Sequence, residues 1–217
     1  MDIVSAVSGY FKTGGPFMFI ILGTAVIILA ILMERFWVIL RVSALNSGRF
    51  GTDLERMVSR GELNGAVTLC RRVNSPASKV AMHIFQDAGA DEARLQTAAD
   101  HAATLVLPPL GHRLPHLTML ANVATLLGLL GTIFGLTTAF SAVGAADPAQ
   151  RSAFLAAGIS QALNTTSFGL IVAVPTLIAH GYLVGAVERI VDQVDEVSIR
   201  LIRALTKMDG TQGREVA

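Results

Sequence analysis

The chain contains three long stretches without a single Asp, Glu, Lys or Arg, at residues 13–33, 114–146 and 152–187. A helix needs about 20 apolar residues to cross the hydrocarbon core of a bilayer, so each stretch is long enough. Only 15% of the residues are charged, whereas soluble domains average about 25%. The first stretch lacks the basic start and the small-residue cleavage motif of a signal peptide. The sequence therefore predicts an all-α integral membrane protein with three transmembrane helices.

Lysine and arginine are distributed unevenly around these stretches. Of the 17 basic residues, only Lys12 and Arg151 lie in the N-terminal segment and in the loop between the second and third stretches. Because cytoplasmic loops are enriched in basic residues, this distribution predicts an N-terminus outside and a C-terminus in the cytoplasm. The single cysteine, Cys70, falls in the predicted cytoplasmic segment, so no internal disulfide is expected.

The second and third spans are longer than a bilayer requires. The 36 uncharged residues of the third would form a helix of about 54 Å, and its apolar pattern continues beyond Val187. Both helices are expected to extend into a helical cytoplasmic domain of short amphipathic helices, with breaks at Gly48, Gly51, Gly61 and Gly89. The predicted segments are a periplasmic or interfacial helix (1–15), the first span (16–40), the cytoplasmic domain (41–113), the second span (114–141), a short periplasmic loop (142–152), the third span (153–187), and a cytoplasmic helix and tail (188–217).

Small and polar side chains form rows along the two inner spans. At 100° per residue they gather on one face of the third span, at Gly158, Ala162, Thr165, Thr166, Gly169, Ala173, Thr176 and His180, with Gln161 at its edge. In the second span they follow spacings of three and four at Asn122, Thr125, Gly128, Thr132, Gly135 and Ala139, and Gly131 and Gly135 form a GxxxG pair. Such rows either pack helices together or line a polar lumen. Their extent exceeds what three helices can bury among themselves, which predicts a homo-oligomer.

The second and third spans contain no Asp, Glu, Lys or Arg, and the titratable His180 is expected near the cytoplasmic rim. A proton relay in a membrane normally uses carboxylates or histidines, so a conducting complex would need a partner that brings the carboxylate. No metal-ligand spacing, nucleotide motif or catalytic dyad is present, so neither an enzyme nor a bound metal or cofactor is expected. Basic residues alternate with acidic ones, which favours contact with lipids over binding to nucleic acid.

Two stretches of the inner spans carry a family resemblance. LANVATLLGLLGTIFGLTTAF at residues 120–140 and GISQALNTTSFGLIVAVP at residues 158–175 resemble the paired signature of the MotA/TolQ/ExbB proton-channel family. The three spans and the modest cytoplasmic segment resemble its ExbB/TolQ branch. Two departures stand out: Gln161 replaces a Glu that ExbB-type members often carry, and Thr125 replaces a Pro of many members.

The resemblance implies a subunit of a bacterial inner-membrane motor. Five copies would surround two copies of a single-span ExbD/TolR-like partner whose transmembrane Asp takes up and releases protons, and the proton motive force would drive mechanical work. Thr132 and Thr166 match the threonines near that Asp, while Thr165 and Gln161 would also line the ring and Pro175 would kink the span. Asn122, Thr125 and Thr176 are further predicted pathway residues, and Gly128, Gly131, Gly135 and Gly169 are predicted packing residues. The alternatives are a membrane scaffold whose polar rows only pack helices and a small-solute channel formed by this chain alone.

Overall fold

We describe the protein from a computed structural model that covers Phe11, residues 14–43 and residues 47–215, without the side chains of residues 43, 47, 48 and 209–215. Within these residues all regular structure is helical, and it comprises α1 (Pro16–Ser43), α2 (Ser47–Ser59), α3 (Leu63–Val73), α4 (Pro76–Gln86), α5 (Glu92–Val106), α6 (Pro108–Gly111), α7 (Leu114–Ala145) and α8 (Arg151–Glu215). Most of the predicted N-terminal helix, at residues 1–15, lies outside the described residues.

Three helices are long and apolar enough to cross a membrane, as the uncharged stretches predicted. The candidate spans lie within Pro16–Val42, within Glu92–Ala145 and within Arg151–Met208. The second of these ranges ends with α7. The last is one helix of 65 residues, which confirms that it continues beyond Val187. Pro175 lies inside this helix, and the kink predicted there stays a prediction.

The chain forms two compact units, and the first comprises residues 1–35 and 113–182. Within it, α1 buries Met18, Ile21, Thr24 and Ile28, one helical turn apart. The opposite side of α1 exposes large apolar side chains, including Phe19, Ile20, Val26, Ile27 and Leu29. A helix bundle with such an apolar exterior suits hydrocarbon, where all backbone hydrogen bonds must be made within the helices.

The second unit comprises residues 36–112 and 183–217 and has its own hydrophobic core. Short amphipathic helices contribute one apolar stripe each, and the end of α8 contributes Val194, Val197, Leu201 and Leu205. The helix α4 begins with a capping box, in which Ser75 and Ser78 each accept a hydrogen bond from the other's backbone N–H. The chain turns at Gly61 and Gly89, both with positive φ, as the sequence predicted.

The breaks predicted at Gly48 and Gly51 are wrong, because α2 runs through both positions. Gly51 lies where α2 meets α8: a methyl group built on it would lie 3.0 Å from Cγ2 of Val197. The missing side chain lets the two helices approach closely. Glycine is here a packing residue, and its weak helix propensity of about 1 kcal/mol is overridden by the core.

Cys70 lies in the core of the second unit and is 2% exposed. Burial raises the pKa of its thiol from 9.0 to about 11, with a backbone hydrogen bond acting in the opposite direction. The reactive thiolate is therefore roughly a hundredfold scarcer than at the ordinary pKa. We expect maleimide to label the folded protein at least about a hundredfold more slowly than the denatured chain near neutral pH. A Cys70→Ser/Thr104→Cys variant, with its thiol at an exposed position, should react rapidly; equal rates at the two positions would contradict the burial of Cys70.

Glu34 links the end of the first span to the start of the second. Its two carboxylate oxygens accept hydrogen bonds from Arg35, at 3.1 Å, and from Arg113. Arg35 is 7% exposed, and Arg113 precedes α7 in a left-handed conformation with φ of +71°. Glu34 therefore pairs both with its neighbour Arg35 and with Arg113, which lies 79 positions away along the sequence.

We expect Glu34→Gln to lower the free energy of unfolding by about 1–2 kcal/mol, because the buried Arg35 loses its charged acceptor. The effect stays below that of a fully buried pair because the Glu34 side chain is 41% exposed. Thermal unfolding in detergent would measure it, with the exposed Glu188→Gln as the matched control. A loss of the same size in both variants would contradict this role for Glu34.

Candidate functional site

The backbones of α7 and α8 meet along a seam of small residues. A methyl group built on Gly128 would lie 3.2 Å from Cα of Thr166, and one built on Gly135 would lie 3.1 Å from the backbone N of Ala162. A methyl group on Gly169 would lie 2.7 Å from the carbonyl oxygen of Ala124. Gly131 faces the side chain of Thr165 at the same contact. The structure thus places all four predicted packing glycines where the two helices are closest.

Gly158 is a further packing residue that the sequence reasoning left without a role. A methyl group on it would overlap Cβ of Ala139 and lie 3.0 Å from the carbonyl oxygen of Gly135. Gly158 has no glycine four residues away, so the GxxxG pattern could not identify it. Its position on the same helical face as Ala162 and Gly169 was the available signal.

Thr166 and Thr132 are both partly exposed, and we refer to these two threonines together as the threonine edge. The Thr166 hydroxyl donates to the carbonyl oxygen of Gly128 across the seam at 2.9 Å. The Thr132 hydroxyl donates to the carbonyl oxygen of Leu129 within its own helix. Since a carbonyl can only accept, both hydroxyl protons are used inside the chain, and each oxygen keeps lone pairs for an outside donor.

Thr165 and Thr176 are buried, at 1% and 3% exposure. The Thr165 hydroxyl lies 2.7 Å from the carbonyl oxygen of Gly14 and 2.9 Å from that of Gln161. The Thr176 hydroxyl donates to the carbonyl oxygen of Val172 at 2.7 Å. A pore-lining role for these two threonines stays a prediction, and their burial favours packing within the protomer.

The remaining predicted pathway residues occupy different surroundings. Asn122 and Thr125 are exposed on α7, where the Thr125 hydroxyl donates to the carbonyl oxygen of Ala121 at 3.1 Å. Gln161 is half-buried, and its amide covers Gly15, whose φ is +74°. Thr165 and Thr166 thus contact glycines of α7, and Thr132 follows the seam residue Gly131 in the sequence. Asn122 and Thr125 are exposed on α7, and Gln161 lies against the segment before α1.

One polar atom near the start of α7 has no partner. The Thr118 hydroxyl oxygen is buried without a hydrogen bond among the described residues. Within the same residues no group of three His, Cys, Asp or Glu side chains could hold a metal ion. The candidate site is the threonine edge at the contact between α7 and the uncharged part of α8, and neither α7 nor residues 152–187 contain Asp or Glu.

Comparison with known proteins identifies relatives along most of the chain. It is 25% identical over 197 residues to a protein of Methanothermobacter thermautotrophicus named as an ExbB homolog of biopolymer transport, covering 90% of this chain and 67% of that protein. It is 28% identical over 161 residues to an ExbB-like protein of Synechocystis, covering 73% and 75% of the two chains. It is 37% identical over 83 residues to the Tol-Pal system protein TolQ of Haemophilus influenzae, covering 37% of this chain and 36% of TolQ.

A wider sequence pattern agrees with these pairwise likenesses. The pattern of the MotA/TolQ/ExbB proton channel family matches residues 72–196, which include α4 to α7 and much of α8. This match covers more than half of the chain. With its three helices that could span a membrane, the protein is a membrane protein of the MotA/TolQ/ExbB proton channel family, in the ExbB/TolQ-like branch.

Proposed function

We propose that this chain is the ring-forming subunit of a proton-driven motor in the bacterial inner membrane. Thr166 carries this assignment. Its hydroxyl proton is donated across the seam to the Gly128 carbonyl, so the oxygen keeps lone pairs that can accept a further hydrogen bond at this partly exposed position. Such an edge can accept a hydrogen bond from a neutral carboxylic acid or from water.

The titratable group must come from another chain. Residues 114–146 and 152–187 lack Asp and Glu, and a proton relay in a membrane normally uses ionisable side chains. A single-span partner of the ExbD/TolR kind with one intramembrane Asp would provide that group. When the Asp is protonated, its single O–H can donate to Thr166 or to Thr132, and when it is ionised it has no proton to donate.

The assembly that we propose is five copies around a dimer of the partner. The N-terminus and the loop at 142–152 would lie in the periplasm, with spans at 16–40, 114–141 and 153–187, because basic residues concentrate in segments 41–113 and 188–217. The separate core of the second unit supports its assignment as the cytoplasmic domain. Asn122, Thr125 and Gln161 would contribute further polar groups to the ring.

Proton flow would supply the energy for movement. Each elementary charge that crosses 100 mV releases about 2.3 kcal/mol. Alternate protonation of the two partner carboxylates would make one partner helix, then the other, favour contact with the threonine edge. The partner helices would then turn inside the ring, and the outer part of the partner would pass this mechanical work to the cell envelope.

Purification from native membranes tests the assembly. The tagged chain, expressed at its native level and extracted in mild detergents, should appear in native mass spectrometry as five copies with two copies of a single-span protein that has one intramembrane Asp. A stable ring without such a companion in several detergents would contradict the motor. The partner's outer domain would also indicate which envelope process is driven.

The second candidate function is a membrane scaffold, and the burial of Thr165 and Thr176 favours it. Their hydroxyls donate to carbonyl oxygens of the same chain, which is the arrangement expected of residues that only pack helices together. The two functions differ in their response to Thr132→Ala, which removes a partly exposed hydroxyl. A motor should lose proton-dependent activity while its complex stays assembled, whereas a scaffold should change only in stability.

A further inference from the structure

The C-terminal end of α1 carries the chain's single tryptophan with an arginine packed on its ring. The guanidinium carbon of Arg41 lies 3.7 Å from the centroid of the Trp37 ring. The two residues are four positions apart on one helix, so helix geometry places them side by side. The cation–π contact holds the guanidinium in one place, because the ring face attracts its charge.

This pair keeps hydrogen-bonding groups that the protein does not use. A guanidinium donates through N–H groups in its own plane, so contact with an aromatic ring leaves donors available. Among the described residues, no oxygen accepts from Arg41 or from the indole N–H of Trp37, and no carboxylate pairs with Arg41. Arg35, in contrast, is buried and pairs with Glu34. Arg41 therefore presents a positive charge that no described residue neutralises.

Exposed apolar side chains adjoin this charge. Phe36, Trp37 and Leu40 are 49%, 60% and 45% exposed, while Ile39 on the opposite side of the helix is 2% exposed. These residues lie in the last turns of a helix whose apolar span continues to Val42. Tryptophan is enriched at the depth where lipid headgroups meet the hydrocarbon. An exposed cation beside an apolar surface at this depth matches a molecule with an anionic head and a hydrocarbon body.

We infer that Trp37 and Arg41 form a binding site for the headgroup of an anionic phospholipid. The guanidinium donates to two phosphate oxygens, a geometry that arginine is well suited to. The indole N–H donates to a further oxygen of the headgroup, and the acyl chains lie along Phe36 and Leu40. Inorganic phosphate would lack the acyl contacts, and a zwitterionic lipid would lack the net charge that complements Arg41.

The single tryptophan makes this site directly observable. The full chain is reconstituted in phosphatidylcholine vesicles that contain a minor fraction of brominated phosphatidylglycerol or, in matched samples, of brominated phosphatidylcholine. Bromine quenches tryptophan emission only at close range, and every tryptophan photon comes from Trp37. We expect the anionic lipid to associate with the site about fivefold more strongly than the zwitterionic lipid, because one basic residue near the membrane surface has about this effect.

Three variants complete the test. Arg41→Gln should abolish the preference for the anionic lipid, Arg41→Lys should weaken it because the planar fork is lost, and the exposed Arg49→Gln should leave it unchanged. The preference should also decrease at high salt, which screens exposed charges. The inference would be overturned if both lipids quenched Trp37 equally or if the preference survived Arg41→Gln. It would also be overturned if another copy of the chain shielded Trp37 from both lipids. If added inorganic phosphate leaves the quenching unchanged, the result supports a lipid headgroup as the ligand. If phosphate displaces the lipid, the role of the acyl contacts is overturned.

Discussion

A Thr166→Val variant should assemble with its partner but conduct protons at least about tenfold more slowly, which corresponds to a barrier higher by at least about 1.4 kcal/mol. Valine keeps the shape of threonine and lacks the hydroxyl oxygen. The partner's neutral acid would lose an acceptor held in place by the Gly128 carbonyl. Proton flux into liposomes, followed with a pH-sensitive dye while a membrane potential is imposed, would measure the change.

Two substitutions serve as controls for Thr166→Val. Thr166→Ser keeps the hydroxyl and should retain most of the flux, while Ser167→Ala removes an exposed hydroxyl from the neighbouring position and should have little effect. Native mass spectrometry would verify that each complex keeps its composition. If Thr166→Val conducts as well as the unmodified protein in an intact complex, Thr166 has no part in the pathway.

A Gly169→Ala variant should lose about 1–3 kcal/mol of stability, because the added methyl group overpacks the contact. It would lie 2.7 Å from the carbonyl oxygen of Ala124 and 3.2 Å from Cα of Gly128. Both atoms belong to the backbone of α7, so the helices themselves must move apart. Thermal unfolding in detergent, followed by circular dichroism, would detect the loss as a lower midpoint.

The same helix offers a matched control for Gly169→Ala. Gly181 also lies in α8, but a methyl group built on it has no heavy atom within 4 Å. Because alanine forms helices better than glycine by about 0.5–1 kcal/mol, Gly181→Ala should leave stability unchanged or raise it. Equal destabilisation by both substitutions would contradict the contact with α7 as the cause of the effect.

The three long helices could be predicted from local sequence patterns. Features that depend on contacts between residues far apart in the sequence could not. Uncharged stretches predict the three long helices because the length and polarity of a membrane span are local properties. The helical path through Gly51 depends on Val197, which lies far away along the sequence. A local rule treats glycine as a helix breaker and has no access to that contact.

Thr165 illustrates the same limit in the candidate site. A helical wheel places it on the polar face with Thr166, but the wheel cannot tell packing from a lumen. The difference depends on the Gly14 carbonyl, which lies 151 positions earlier and takes the Thr165 hydroxyl. Likewise, Arg113 pairs with Glu34 across 79 positions, and no local sequence pattern indicates that contact.

The glycine seam leaves no room for a water column between α7 and α8 where these two helices meet. At Gly128 and Gly135 even a methyl group would lie about 3.2 and 3.1 Å from the facing backbone, closer than ordinary contact. A buried water needs a cavity of at least about 10–15 Å³ and several polar partners. In the motor that we propose, a hydrated passage next to Thr132 and Thr166 would need a second polypeptide to form its opposite wall, so conduction would arise only when chains assemble.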